Sequence, residues 1–163
     1  MKYFWHYDFP IGRMVIVEAD GHVACIFFEQ ENRRNKRVEQ TLLDAEERET
    51  PLLKKAARQL KEYFGGKRSE FDLPLAFDGT VFQKSVWAAL LTIPYGETRS
   101  YGDIAKQIGN PKGFRAVGMA NNQNPIAIIC PCHRVIGSNG SLVGYAAGLE
   151  HKEYLLNLES RRK

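Results

Sequence analysis

The sequence predicts a small α/β unit, an antiparallel sheet with a helix, over residues 1–78, followed by a mainly helical unit with a helix-turn-helix over residues 79–163. Three observations carry this. The chain opens with short runs rich in β-branched and aromatic residues, bounded by turn signals. From Thr80 onward, capped segments of helical periodicity replace them. Between the two lies Ser69 to Gly79, which has no helical period, contains Pro74 and Gly79, and reads as a linker.

Tyr3 to Phe9, Met14 to Ala19 and Val23 to Phe28 are the expected strands, separated by Pro10-Ile11-Gly12 and by Asp20-Gly21, a strong hairpin turn. Glu29 to Glu49 is a charged stretch. Thr50 before Pro51 reads as an N-cap with proline at the first helical position. Leu53, Ala56, Ala57, Leu60 and Phe64 then share one helical face, and Gly65-Gly66 ends it. In the second unit, Thr80 and Gln83 form a capping box ahead of Phe82, Val86, Trp87 and Leu90. Ser100 and Asp103 cap a short helix with Ile104, Ala105 and Ile108 inward, ending at Gly109-Asn110-Pro111. Phe114 to Asn122 is the next helix, and the pair across the turn forms a helix-turn-helix pattern. Ile126 to Cys130 is wholly apolar and fits a buried strand that leads into Pro131-Cys132-His133. Leu149 to Leu158 closes the chain as a helix with Tyr154, Leu155 and Leu158 inward.

With 44% hydrophobic and 26% charged residues in 163, the chain has globular rather than disordered or fibrous composition. No apolar run approaches the roughly 20 residues of a membrane span, and Met1-Lys2-Tyr3-Phe4-Trp5-His6 lacks a signal-peptide core, so a cytoplasmic protein is expected. Charge is uneven. Met1 to Thr80 holds 13 Lys and Arg against 14 Asp and Glu, while Val81 to Lys163 holds 10 against 5. The basic second half favours a polyanionic partner, although a plain solvated domain can carry the same surplus.

The three cysteines, Cys25, Cys130 and Cys132, make a disulfide framework improbable. Cys25 alternates with Val23 and Phe27 as a core thiol would. Cys130 and Cys132 stand in a Cys-x-Cys spacing that matches structural zinc sites poorly, and the meaning of Cys130 is open. Cys132 ends an apolar run and precedes His133 and Arg134. A thiol of ordinary pKa, about 8.5, is mostly protonated near neutrality, so a nucleophilic cysteine needs a base or a positive field, and His133 and Arg134 offer either. In isolation, such a Cys-His pair is more commonly a small buried core element than a nucleophile.

The wider constellation reverses that. Ile93-Pro94-Tyr95-Gly96-Glu97-Thr98-Arg99-Ser100-Tyr101, Gly109-Asn110-Pro111, Arg115-Ala116-Val117-Gly118, Asn124-Pro125, Pro131-Cys132-His133-Arg134-Val135-Ile136, Gly144-Tyr145, Gly148-Leu149 and Lys152-Glu153 closely resemble the O6-alkylguanine-DNA alkyltransferases, also called methylated-DNA-protein-cysteine methyltransferases. The likeness spans Val81 to Glu159 in order and spacing; the N-terminal half matches in general character only.

The resemblance implies a ribonuclease H-like N-terminal domain and a helical C-terminal domain that binds DNA and transfers alkyl groups. It implies direct-reversal repair: Cys132 attacks the alkyl carbon on O6 of guanine, with O4-alkylthymine a second candidate substrate, and is left as a stable thioether, so each molecule acts once. His133 would draw off the thiol proton through a water, and Glu159, 27 residues after the cysteine, would orient it. Asn124 would brace the turn around the site. Tyr101 would protonate the departing guanine and stack beside the flipped nucleotide. Arg115 would fill the vacated place in the stack, with Ala116, Gly118 and Ala120 allowing the helix to lie close in the minor groove. Val135, Tyr145 and Ala146 would line the pocket; some members carry serine at the position of Ala146. The implied partner is double-stranded DNA bearing O6-alkylguanine, bound by a monomer, with no cofactor; some members hold zinc in the N-terminal domain, but that half here offers only Cys25, His6 and His22, so no structural metal is expected. Cys132 argues against the related lesion-binding proteins that carry tryptophan there. Gly113 and Gly118 at the second helix weaken a major-groove regulator, and a hydrolase would turn over where a thioether cannot.

Overall fold

The computed structural model describes residues 1–30, 36–142, 144–145 and 148–161. The chain divides into two compact units, Met1–Phe77 and Asp78–Lys163.

In the first unit, β1 (Lys2–Phe9), β2 (Gly12–Ala19) and β3 (His22–Phe28) form an antiparallel meander. The β2–β3 turn places Asp20 at φ 51° and Gly21 at φ 80°, the left-handed pair that a two-residue hairpin requires. The charged stretch holds α1 (Lys36–Leu43) and a short strand, β4 (Ala45–Glu47), which lies parallel to β1. The sheet order is therefore β3-β2-β1-β4. Next, α2 (Pro51–Phe64) begins where Thr50 accepts a hydrogen bond from the Leu53 N–H, with Pro51 at the first helical position.

Both faces of the sheet are covered, which explains why Met14-Val15-Ile16-Val17 is buried throughout rather than alternating. Phe9 meets Phe64 of α2 at 5.4 Å between ring centroids, so α2 covers the face that carries Met14 and Ile16. Val15, Val17, Cys25 and Phe27 pack on the other face with Phe4 and Leu42.

The expected linker is docked over most of its length. The Val23 N–H donates to the Pro74 carbonyl at 2.8 Å, the Ala76 N–H to the Val23 carbonyl at 3.0 Å, and the buried Gln59 amide clamps both backbone groups of Asp72. Proline and glycine signalled irregular backbone correctly, but side-chain and sheet-edge hydrogen bonds tie that backbone to its own unit.

In the second unit, α3 (Val81–Leu90) carries the Thr80/Gln83 capping box and buries Val86, Trp87 and Leu90, leaving Phe82 half-buried. Two-residue strand β5 (Arg99–Ser100) runs into α4 (Tyr101–Gln107), capped by Ser100 and Asp103. A turn containing Gly109 at φ 80° leads to α5 (Phe114–Asn122). Helices α3, α4 and α5 pack on one another. The chain finishes with β6 (Val135–Ile136), parallel to β5, and α6 (Leu149–Ser160).

Two expectations fail here. Ile126–Cys130 is a coiled turn rather than a strand: the Cys130 N–H donates to the Ile126 carbonyl at 3.1 Å and Ile128 sits at φ 71°. The apolar run is buried as expected, but the Asn124 side chain bends its backbone. On α6 the buried residues are Lys152, Leu155 and Glu159, whereas Tyr154, expected inward, is 38% exposed. Two charged residues occupy helical positions where an apolar stripe would be sought.

Candidate active site

Cys132, His133 and Arg134 form a single 3-10 turn, with the Cys132 N–H donating to the Cys130 carbonyl at 2.8 Å. The approach to that turn is shaped by Asn124. Its amide donates to the carbonyls of Cys130 at 2.8 Å and Ile126 at 3.3 Å, while its oxygen accepts from the Ile126 N–H at 3.1 Å. A β-branched residue at positive φ, as at Ile128, is held only when its surroundings over-determine it. Asn124→Ala frees those backbone groups and should lower unfolding free energy by about 2–3 kcal/mol in urea denaturation, with slower alkylation of Cys132.

His133 and Glu159 are 0% and 1% exposed. The imidazole Nε2 lies 2.7 Å from Glu159 Oε2. Burial lowers the His133 pKa below the ordinary imidazole value, outweighing the opposite pull of Glu159. The Glu159 carboxyl is held well below the usual carboxylate range: burial pushes it up, but hydrogen bonds from His133 and Arg134 win. Near neutrality the pair is therefore a neutral imidazole donating Nε2–H to a carboxylate. The buried Nδ1 has no hydrogen-bond partner among the described residues, which leaves it as an acceptor.

Arg134 does not supply a free positive field, as its sequence position had allowed. Its Nε and Nη2 donate to the two oxygens of Glu159 at 2.8 and 3.0 Å, and Nη1 to the Ile93 carbonyl at 2.7 Å. The buried cation near the cysteine is instead Lys152, whose Nζ donates to the Val135 carbonyl. Burial brings its pKa down to about 8, against the opposing charge of Cys132. Sequence reasoning left Lys152 without a role, although its spacing from Leu155 and Glu159 on one helix face was a usable signal. It also passed over Asn121, a buried α5 residue whose amide donates to the Cys132 carbonyl at 3.4 Å.

The parallel β5–β6 pairing brings Arg99 opposite Val135, and Tyr101 follows directly on β5. Tyr101 is half-buried; burial raises its pKa, and the charge of Cys132 adds to that. Its hydroxyl lies 3.4 Å from the Gly144 carbonyl, and a Cβ at Gly144 would come within 3.1 Å of that oxygen. A glycine there leaves the phenol room. Val135 is fully buried, its N–H donating to the Cys132 carbonyl, and Tyr145 is 9% exposed. Ala146 lies outside the described residues.

Arg115 and Ala116 sit on the exposed side of α5, with the Arg115 guanidinium 6.0 Å from the Phe114 ring centroid. The other small residues do not share that surface. Ala120 is 2% exposed and packs inward beside Trp87, whose indole N–H donates to its carbonyl at 2.9 Å, so its side chain is unavailable to DNA. A Cβ at Gly118 would lie 3.7 Å from the Tyr101 ring, so that glycine faces Tyr101. Among the described residues no three His, Cys, Asp or Glu side chains converge to hold a metal ion, and no helix is long and apolar enough to cross a membrane.

Family comparisons agree with this layout. Residues 2–77 match the model of the 6-O-methylguanine DNA methyltransferase ribonuclease-like domain, and residues 81–161 that of the DNA binding domain. A methylated-DNA–protein-cysteine methyltransferase of Methanosarcina acetivorans is 51% identical over 157 residues, 96% of this chain and 97% of that protein. The crystal structure of the Mycobacterium tuberculosis O6-methylguanine methyltransferase is similar at a TM-score of 0.87 and 44% identity, over 100% of this chain and 95% of that one. A Mycobacterium tuberculosis OGT in complex with DNA matches at a TM-score of 0.87 and 45% identity, over 98% and 94%. The two units, the Pro-Cys-His-Arg turn and the buried His-Glu pair are thus found in a chain that belongs to the methylated-DNA–protein-cysteine methyltransferase family.

Proposed function

We propose that this protein removes the alkyl group from O6-alkylguanine in double-stranded DNA by one irreversible transfer to Cys132. The observation that carries the reading is the buried His133–Glu159 pair next to Cys132, with Nδ1 of the imidazole left as an acceptor. In the proposed step, the thiol proton passes through a water to His133 Nδ1 and the sulfur attacks the alkyl carbon. A carbon–sulfur bond forms as the carbon–O6 bond breaks, its electron pair leaves on guanine, and Tyr101 protonates the departing base. Proton return from His133 to Tyr101 through solvent balances the step. A thioether has no hydrolytic exit under mild conditions, so one event consumes one protein.

Cys132 is only 7% exposed, so a base stacked in a duplex cannot reach it, and extrusion costs a few kcal/mol. Exposed Arg115 at the start of α5 is suited to fill the gap from the minor groove, with Ala116 beside it. Val135 and Tyr145 are the proposed pocket wall, together with Ala146, the next residue after Tyr145 in the sequence. All these residues belong to Asp78–Lys163, which supports a site held within a single copy.

Arg115→Ala is expected to slow repair of duplex O6-methylguanine at least tenfold while leaving reaction with free O6-benzylguanine within about twofold, because free base needs no extrusion. Equal losses on both substrates would refute the assignment. Affinity for duplex should also fall as salt rises, through counterion release.

A further inference from the structure

Glu159 accepts hydrogen bonds from His133, Arg134 and the Gly96 N–H. Oε2 takes His133 Nε2 at 2.7 Å and Arg134 Nη2 at 3.0 Å; Oε1 takes Arg134 Nε at 2.8 Å and the Gly96 N–H at 3.4 Å. Arg134 is itself pinned: it is 6% exposed, its Nη1 donates to the Ile93 carbonyl at 2.7 Å, and its guanidinium lies 5.7 Å from the Tyr95 ring centroid. The loop after α3 therefore fixes the guanidinium, the guanidinium fixes the carboxylate, and the carboxylate fixes the imidazole.

A carboxylate alone beside a buried histidine stabilises the imidazolium strongly. Here the same carboxylate is shared with a cation that does not lose its proton. We propose that Arg134 is a positioning residue for the transfer: by occupying both oxygens of Glu159 it locks the carboxylate and offsets its charge, so that His133 rests as the neutral Nε2–H tautomer with Nδ1 ready to accept the Cys132 proton. Without that offset the pull of Glu159 on the imidazolium would be opposed only by burial and Lys152, and His133 would hold its proton to higher pH, leaving less of it free to accept another. The charged groups facing His133 are Glu159 and Lys152 from α6 and Arg134 from its own turn; α3, also packed against that turn, contributes none among the described residues. Lys152 acts in the same direction as Arg134, with its Nζ donating to the Val135 carbonyl.

The inference rests on the general-base reading of His133, but its test does not require alkyl transfer. Imidazole nitrogen shifts of nitrogen-15-histidine-labelled protein, followed against pH, should give native His133 as the neutral Nε2–H tautomer at neutrality, with a midpoint below the ordinary value of about 6.5. R134Q should raise that midpoint by about one unit or more, and move the acidic limb of the Cys132 alkylation profile up with it. R134K keeps the charge and should stay within a few tenths of native. A merely structural role would lower thermal stability without moving the midpoint. A doubly protonated His133 in the native protein at neutrality would overturn the proposal, as would an unmoved midpoint in folded R134Q or equal shifts in R134K and R134Q. If R134Q does not fold, the native titration and R134K still decide it: a native midpoint at or above the ordinary value, or an R134K midpoint raised by a unit or more, counts against the proposal. If the native protein takes up no alkyl group but the titrations behave as described, the function reading fails and this one stands.

Discussion

Cys132→Ala is expected to take up no alkyl group from lesion-bearing DNA while still folding and binding the duplex. The substitution removes one sulfur from a small side chain on a turn whose conformation is set by backbone bonds and by Asn124, so the loss of stability should stay near 1 kcal/mol. Cys130 cannot take over. It is fully buried, its thiol donates to the Trp87 carbonyl at 3.6 Å, and burial, which the substitution leaves in place, is the main cause that raises its pKa above the ordinary thiol value. Any alkyl uptake by the variant, followed with labelled O6-methylguanine duplex, would mean that another residue is the acceptor.

Glu159→Ala should impair stability and rate together. It leaves a buried guanidinium uncompensated and the imidazole unoriented, and breaking a buried pair from one side typically costs about 3–5 kcal/mol. Loss of an oriented base should slow transfer by about 10²–10⁴. The stability difference has a definite pH dependence. Because the Glu159 pKa is depressed in the folded protein, its contribution is fully present above the unfolded carboxyl value of about 4.3 and fades as pH falls below it. His133 is present in both proteins, and its lowered pKa makes each of them lose stability as pH drops below about 6.5. Urea denaturation of native and variant proteins from about pH 5 downward should therefore give curves that converge as the unfolded carboxyl takes up its proton. A gap that widens below the unfolded carboxyl value of about 4.3 would contradict the charge assignment of Glu159.

The strands, caps and recognition helices were legible because each has a local cause, such as the Asp20-Gly21 turn, the Thr50 and Thr80 caps, or the run Met14 to Val17. Elements stabilised by distant partners were not. β4 is Ala45-Glu46-Glu47, with its two glutamates exposed; it joins the sheet edge through backbone pairing with β1 and has no strand-like side-chain pattern. Ile126 to Cys130 shows the converse. A β-branched apolar run reads alike for a buried strand and a buried turn, and Asn124, outside the run, decides between them. At the site, Cys132 and His133 were readable as neighbours, and Glu159 only through family resemblance. That Arg134 and Lys152 are committed to Glu159 and Val135 follows from α6 crossing behind the turn, a tertiary fact with no local sequence signal. Ala120 lies inward for a related reason: small side chains suit close approach to DNA and helix packing equally, and this one is buried at 2% exposure.

A cysteine that serves as a reagent consumed once leaves a stoichiometric signature. Intact-mass measurement of the protein after incubation with excess O6-methylguanine duplex, followed by peptide mapping, reads that signature. The expected result is a plateau at one added methyl group per chain, carried by the peptide containing Cys132, with guanine restored in equal amount. Continued demethylation beyond one equivalent, or a methyl group mapped to any other residue, would contradict it.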